Sequence, residues 1–250
     1  MKKIIVIAFI IFSSIGFSQS AASLFENANE LYKGEKYEEA IEQYQLIEEL
    51  QVHSDDLYFN LGNSYYKLNR IAQSIYYYEK ALKLNPSNID AQTNLAFANR
   101  MTIDAIDDLP KTLFQNFANT VIYKFTYNTW SIIAVALSFL SALWFLLYHF
   151  SYSSRKKLFY FNASLLGAFL LVCTVLFAYK AYDYSENRIE AIIFKQTTEI
   201  KNAPTFNSDT VFKLHEGTKV LVLDEIDDWK KIKLSDGKIG WIVADNLKEI

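Results

Sequence analysis

The chain has 250 residues, with 25 Lys and Arg against 28 Asp and Glu, one cysteine and seven glycines. One cysteine excludes an intramolecular disulfide, and no glycine-rich phosphate loop occurs. Charge divides by region. Ala21–Asp108 holds 15 acids and 7 bases, Leu109–Ile189 holds 2 acids and 7 bases, and Glu190–Ile250 holds 11 acids and 9 bases. Net positive charge therefore falls on the segment that holds two apolar runs in the middle of the chain, and no basic face points to nucleic acid.

At the N-terminus, Met1-Lys2-Lys3 precedes the apolar Ile4–Ile15, and Gly16-Phe17-Ser18 supplies small residues at the −3 and −1 positions. This order predicts a secretory signal peptide over residues 1–18, cut before Gln19.

Residues 21–102 carry an internal repeat. Asp55–Asn88 contains Tyr58-x2-Leu61-Gly62-x2-Tyr65, then Ser74-x3-Tyr78, Ala81 and Pro86. A shift of about 34 residues lays Ala21–Ser54 on the same pattern, through Leu24, Ala28, Leu31, Tyr37, Ala40 and Tyr44. Small residues at Ala28, Gly62 and Ala40 let paired helices approach closely, while aromatics fill the space beside them. Pro86 stops the second helix of the pair and Asn88 can cap the next. Helix 89–102 then repeats Leu61-Gly62 as Leu95-Ala96 and caps the array, whose end would otherwise expose apolar surface.

These residues resemble tetratricopeptide repeats. The resemblance implies a superhelical α-array that holds an extended peptide along a concave face. On this chain that face is Phe25, Asn29, Tyr32 and Lys33 in the first repeat, Phe59, Asn63, Tyr66 and Lys67 in the second, and Thr93, Phe97 and Arg100 in the cap. Asn29 and Asn63 match the asparagines of the family's clamp for a C-terminal carboxylate. Phe25, Thr93 and Phe97 stand where that clamp carries cations, so a general peptide groove or a docking surface for a partner domain is the expectation.

Residues 107–128 follow. Asp107-Asp108-Leu109-Pro110 reads as a helix start, and Leu113, Phe114, Phe117, Val121, Ile122 and Phe125 recur at three- and four-residue spacing. An amphipathic helix lying in a membrane interface is expected, with Tyr123, Tyr127 and Trp130 at headgroup depth. An ordinary helix packed on the repeats is the alternative.

Trp130–Phe150 and Leu158–Tyr179 are each about the ~20 apolar residues a helix needs to cross a bilayer. The connector, Ser151–Lys157, holds Arg155-Lys156-Lys157 and no acid. The short connector predicts a transmembrane hairpin, and its cations place it on the cytoplasmic side. Both flanking parts are then expected on the exported side. Cys173, within the second run, is expected to pack against the first helix.

Residues 190–250 turn to short β-rich runs. Ile192–Phe194, Thr198–Ile200, Thr210–Leu214, Lys219–Asp224, Trp229–Leu234 and Ile239–Val243 are separated by turn material at Asn202–Pro204, His215–Gly217 and Asp236-Gly237. Leu214-x2-Gly217-x2-Val220, Trp229-x2-Ile232, Asp236-Gly237 and Gly240-Trp241-Ile242 resemble the bacterial SH3 family, which implies a small all-β barrel. Alternation puts Ile232 and Leu234 on one face and Trp229, Lys231 and Lys233 on the other. If the aliphatics face the core, Trp229 stands at the surface as a ligand platform with Lys231 and Lys233; a Trp packed onto the barrel is the other reading.

His53, His149 and His215 lie in three separate segments with no carboxylate or cysteine at ligand spacing, so neither an enzyme nor a metal or other cofactor is indicated. The expected fold is multidomain: a helical repeat array, a two-helix transmembrane hairpin and a small SH3-like barrel. Signal peptide, repeats, hairpin and SH3 module in that order resemble the BatE proteins of the Bacteroidetes. The resemblance implies a noncatalytic scaffold in the inner membrane, with both soluble modules in the periplasm, acting in aerotolerance or envelope stress. It also implies partners among envelope proteins, including Bat proteins with von Willebrand A domains, within a Bat/MoxR-type complex. A cell-wall sensor or anchor that binds peptidoglycan through the SH3 module is the alternative.

Overall fold

The computed structural model describes residues 21–250, and the expected signal peptide lies outside them. The chain forms two compact units. One is built from residues 21–84, 88–109 and 189–250, the other from residues 85–87 and 110–188.

The first unit opens with five helices: α1 over 21–33, α2 Tyr37–Glu49, α3 Asp55–Lys67, α4 Ile71–Leu84 and α5 Ile89–Asn99. Ser54 caps α3 by accepting from the Leu57 amide at 3.1 Å, and Asn88 caps α5 by accepting from the Ala91 amide at 2.9 Å. The repeat is legible in the backbone. Glu35 and Asn69, equivalent residues of the α1–α2 and α3–α4 turns, both take the left-handed conformation, with φ of 60° and 57°. Sterics explain the pairing. A Cβ on Gly62 would lie 2.5 Å from Cδ1 of Tyr78, so α4 can sit this close to α3 only because position 62 has no side chain.

The remainder of this unit is one antiparallel sheet: β1 Glu190–Ile193, β2 Thr197–Lys201, β3 Thr210–His215, β4 Lys219–Ile226, β5 Trp229–Lys233, β6 Ile239–Val243 and β7 Leu247–Glu249. Its order is β3-β2-β6-β5-β4-β1-β7. The seventh strand, after a short 3-10 turn at Ala244–Asn246, has no counterpart in the sequence reading. Ile193, Ile200, Ile232 and Ile242 are fully buried in its core, with Leu214, Val220 and Leu234 beside them.

Sheet and array are not separate bodies. Ile192 is buried in the array's own core, where Phe194 and Ile250 also pack. Phe194 meets Tyr76 of α4 edge-on at 5.6 Å. Gly217, at φ 86°, brings the β3–β4 turn against Ile71, Ile75 and Thr102, where a Cβ would come within 2.9 Å of Thr102.

The second unit begins with α6, Leu113–Phe117, and a π-helical turn, Ala118–Ile122. The expected long helix from Asp107 is therefore corrected. Asp107-Asp108-Leu109-Pro110 is not helical, and the start is a capping box in which Thr112 accepts from the Gln115 amide while the Gln115 side chain accepts from the Thr112 amide. Leu109 is held elsewhere, its amide donating to the Ser235 carbonyl at 3.1 Å. Helices α7, Tyr127–Phe150, and α8, Ser154–Asn187, are both long and apolar enough to cross a membrane. Only Ser151–Ser153 separates them, so Arg155, Lys156 and Lys157 belong to the first turn of α8 and not to a seven-residue loop. The two helices meet through small residues. Ser141 and Ser164 exchange hydroxyl-to-carbonyl bonds at 3.0 and 3.2 Å, and Gly167 faces Ser141 and Trp144.

Candidate docking surfaces

The A-helices α1, α3 and α5 are joined by a ladder of amides. Oδ1 of Asn29 accepts from the Tyr44 hydroxyl at 2.6 Å and from Nδ2 of Asn60 at 3.0 Å. One repeat later, Oδ1 of Asn63 accepts from the Tyr78 hydroxyl at 2.7 Å and from Nδ2 of Asn94 at 2.8 Å. Each rung thus ties an A-helix to its own B-helix and to the next A-helix. Asn94 places α5 in register as a third A-helix. Burial pushes the Tyr44 hydroxyl up to about 12 and raises Tyr78 as well, so both remain protonated donors at neutral pH.

The sequence-predicted face divides on this ladder. Asn29 and Asn63 use their carbonyl oxygens structurally, which leaves only Nδ2 of each to meet a ligand. Phe25 packs on Tyr44 at 5.8 Å and Phe59 on Tyr78 at 6.1 Å, the same contact one repeat apart. Tyr32 lies edge-on to Tyr37, and Tyr66 is half-buried. Lys33 pairs with Glu30 at 2.8 Å, while Lys67 is exposed. On α5, Phe97 is 49% exposed beneath the Arg100 guanidinium, and Thr93 folds its hydroxyl back on the Ile89 carbonyl. Asn60 and Asn94 were missed, although their 34-residue spacing was a usable signal.

On the sheet, Trp229, Lys231 and Lys233 do share a face, opposite Ile232 and Leu234. The expectation of a surface Trp229 is nevertheless corrected: it is only 6% exposed. The loop after β2 closes on itself through Asn202 N to Asp209 O and Ala203 N to Ser208 Oγ, and it lays Phe206 edge-on to the indole at 5.0 Å. Phe206 itself is 73% exposed and takes over the surface position. Lys231 sits over the neighbouring Trp241 ring at 5.8 Å.

A polar latch joins sheet to array. Asp104, just past α5, accepts from the His215 amide at 2.7 Å, His215 Nδ1 at 2.8 Å and Thr218 Oγ1 at 2.7 Å. Burial alone would raise its carboxyl, but these bonds outweigh it and hold Asp104 below the usual carboxylate range. Lys219 of β4 bridges Glu79 of α4 at 2.8 Å and Glu190 of β1 at 2.5 Å. No sequence signal pairs these residues.

Among the described residues no group of three or more His, Cys, Asp and Glu is placed to hold a metal ion. A search of curated proteins finds no match to the chain. The family model for the tetratricopeptide repeat matches residues 56–88, the span of α3 and α4. The array therefore contains a tetratricopeptide repeat, a module whose general role is to hold other proteins.

Proposed function

We propose that the chain is a noncatalytic scaffold of the bacterial inner membrane. It presents the groove of its repeat array and an SH3-like module to the periplasm, within a Bat/MoxR-type assembly for envelope stress or aerotolerance. One observation carries the reading. The segments before and after the two apolar helices pack into a single unit, latched by Asp104 and Lys219. Segments that share one folded unit must lie on one side of a membrane, so the chain between them crosses an even number of times. The cations at the start of α8 favour the cytoplasm for the hairpin tip. The antiparallel order of the sheet, with a 3-10 turn before its last strand, supports the SH3-like assignment.

The test combines topology with partner contact. Reporter fusions at Thr102 and Ile250 should both read the exported side, and a cysteine at Ser153 should be labelled from the cytoplasm. A photo-crosslinking residue at Tyr66 or Phe97 of the full chain should then capture a co-expressed von Willebrand A-domain Bat protein. Opposite sides for the two fusions would overturn the scaffold topology, and no capture would overturn the Bat assignment.

A second reading, peptidoglycan binding, is favoured by the exposed Phe206 ring set against Trp229. It predicts that the full chain in detergent sediments with purified sacculi and that Phe206→Ala abolishes this. Absence of sedimentation removes it.

A further inference from the structure

The two long sides of α8 differ in a way the hairpin does not use up. Ser164, Gly167, Leu171, Thr174, Ala178 and Ala181 recur at spacings of three and four, and Gly167, Thr174 and Ala181 are buried. This is the narrow seam packed against α7. Nearly opposite runs a second seam at the same spacing: Leu158, Asn162, Leu165, Phe169, Val172 and Leu176. Its apolar members are 58–64% exposed and Asn162 is exposed too. Asn162, Leu165, Phe169 and Val172 line an open groove along this side.

Asn162 is out of place there. Ser141 and Ser164 satisfy each other across the hairpin, Thr174 bonds to the Leu170 and Leu171 carbonyls, and Ser131 bonds to the Tyr127 carbonyl. The Asn162 side chain makes no hydrogen bond among the described residues. It lies about 7 Å along the helix beyond Lys157, in the apolar run, and its side chain is too short to return to the headgroups. A primary amide in hydrocarbon needs a partner of the same depth.

We infer that this seam is an interface between two copies of the chain, with α8 packed in parallel on α8 of the second copy and the two Asn162 amides hydrogen-bonded across the two-fold axis. The inference rests on the membrane-spanning reading above. Every copy inserts the same way round, so two α8 helices run parallel and bring Asn162 to the same level. An amide, being donor and acceptor at once, is complementary to itself. A single Asn at a core position of an otherwise apolar heptad seam specifies register and favours a parallel dimer, and in lipid such bonds supply attraction that apolar burial cannot.

The test uses the full chain with Cys173→Ala, in native membranes. Single cysteines at Leu165, Phe169 and Val172 should form disulfide-linked dimers on mild oxidation, while Leu170 and Val175, exposed but off the seam, should not. In vesicles containing the purified chain, Asn162→Leu should weaken self-association measured by energy transfer by about 3- to 30-fold, the range for one interhelical hydrogen bond, and Asn162→Gln should restore part of it. Crosslinking without the three-four pattern, an unchanged Asn162→Leu, or a crosslinked product with a different protein would each overturn the dimer. Alkaline carbonate extraction keeps the two failures apart. A chain that stays in the membrane pellet without crosslinks refutes the dimer alone, whereas a chain that is extracted refutes the spanning reading itself.

Discussion

Gly62→Leu is the sharpest perturbation of the array, because the contact it disturbs is specified at atomic distance. The first added carbon would fall 2.5 and 2.6 Å from Cδ1 and Cε1 of Tyr78. That ring has little room to retreat. It is 1% exposed, its hydroxyl is held by Asn63 at 2.7 Å, and Phe59 closes one side. Ser74, on α4, also donates to the Gly62 carbonyl at 2.9 Å, tying the two helices together at this level. The side chain must therefore force α4 away from α3. Overpacking of this kind costs about 1–3 kcal/mol and occasionally more, and a branched four-carbon side chain here belongs at the upper end. Replacing glycine in a helix returns about 1 kcal/mol of propensity, so a net loss of about 2 kcal/mol or more is expected. Hydrogen exchange of the full chain in detergent reads this locally, since array amides exchange through the opening that the change favours. A loss of about 2 kcal/mol predicts roughly 30-fold faster exchange in α3 and α4, with α7 and α8 unchanged. Protection within about threefold of the parent chain would refute the close α3–α4 contact. The clash begins at Cβ, so Gly62→Ala should already loosen the α3–α4 contact, and Gly62→Leu should loosen it further.

Asn63→Ala leaves Tyr78 and the Asn94 amide without an acceptor and should lower stability by about 1–3 kcal/mol, measured by thermal melting; Asn63→Asp, which keeps the acceptor, should recover most of it. Asp104 has a folded-state pKa below its ordinary value near 3.8, so its stabilisation is present above the ordinary value and is lost as pH falls through the depressed one. Acidification below pH about 4 should therefore expose residues 103–108 to proteolysis in the parent chain, and Asp104→Asn should show this exposure already at neutral pH. Trp229→Ala should destabilise the sheet by about 3–5 kcal/mol, as expected for a large buried aromatic, whereas Phe206→Ala should cost only the edge-on ring contact, about 0.5–1.5 kcal/mol; equal effects would mean that Phe206 is also core.

The helical array was legible because its constraint is steric and periodic. Small residues at positions 28, 40 and 62, with aromatics one turn away, leave a pattern that survives in the sequence. The strands were legible from alternation and from Gly217 and Gly237, whose φ values of 86° and 91° mark the turns that their glycines announced. The failures share a cause. The cover on Trp229 comes from Phe206 in an irregular loop, where no periodicity says which way a side chain folds. The start of α6 was misplaced because two local signals competed, and the reciprocal Thr112–Gln115 bonds prevailed over acids and Pro110. Asp104, His215, Thr218, Glu79 and Lys219 are ordinary surface types, separated by 111 to 140 residues along the chain. Only the folded unit brings them together.

That separation bears on how the molecule is assembled. The array consists of local contacts and can form as soon as its residues are made, since helix pairs close short loops. Its α4 face cannot be completed then. Tyr76 waits for Phe194, Glu79 for Lys219, Lys83 for the Ile250 carbonyl, and the array core for Ile192. All four partners lie beyond the two apolar helices. The array therefore presents an apolar, acid-edged surface until the last strands are synthesised and dock on it. On the proposed two-pass topology, the sheet can dock only when residues 189–250 lie on the same side of the membrane as the array. On that topology, a chain that crosses only once would leave Ile192, Phe194 and Tyr76 uncovered and should be degraded faster than the parent chain. Deleting residues 189–250 should for the same reason leave an array that is folded but less protected along α4 than along α2. Equal protection of the two helices would show that the sheet is only tethered to the array and does not complete it.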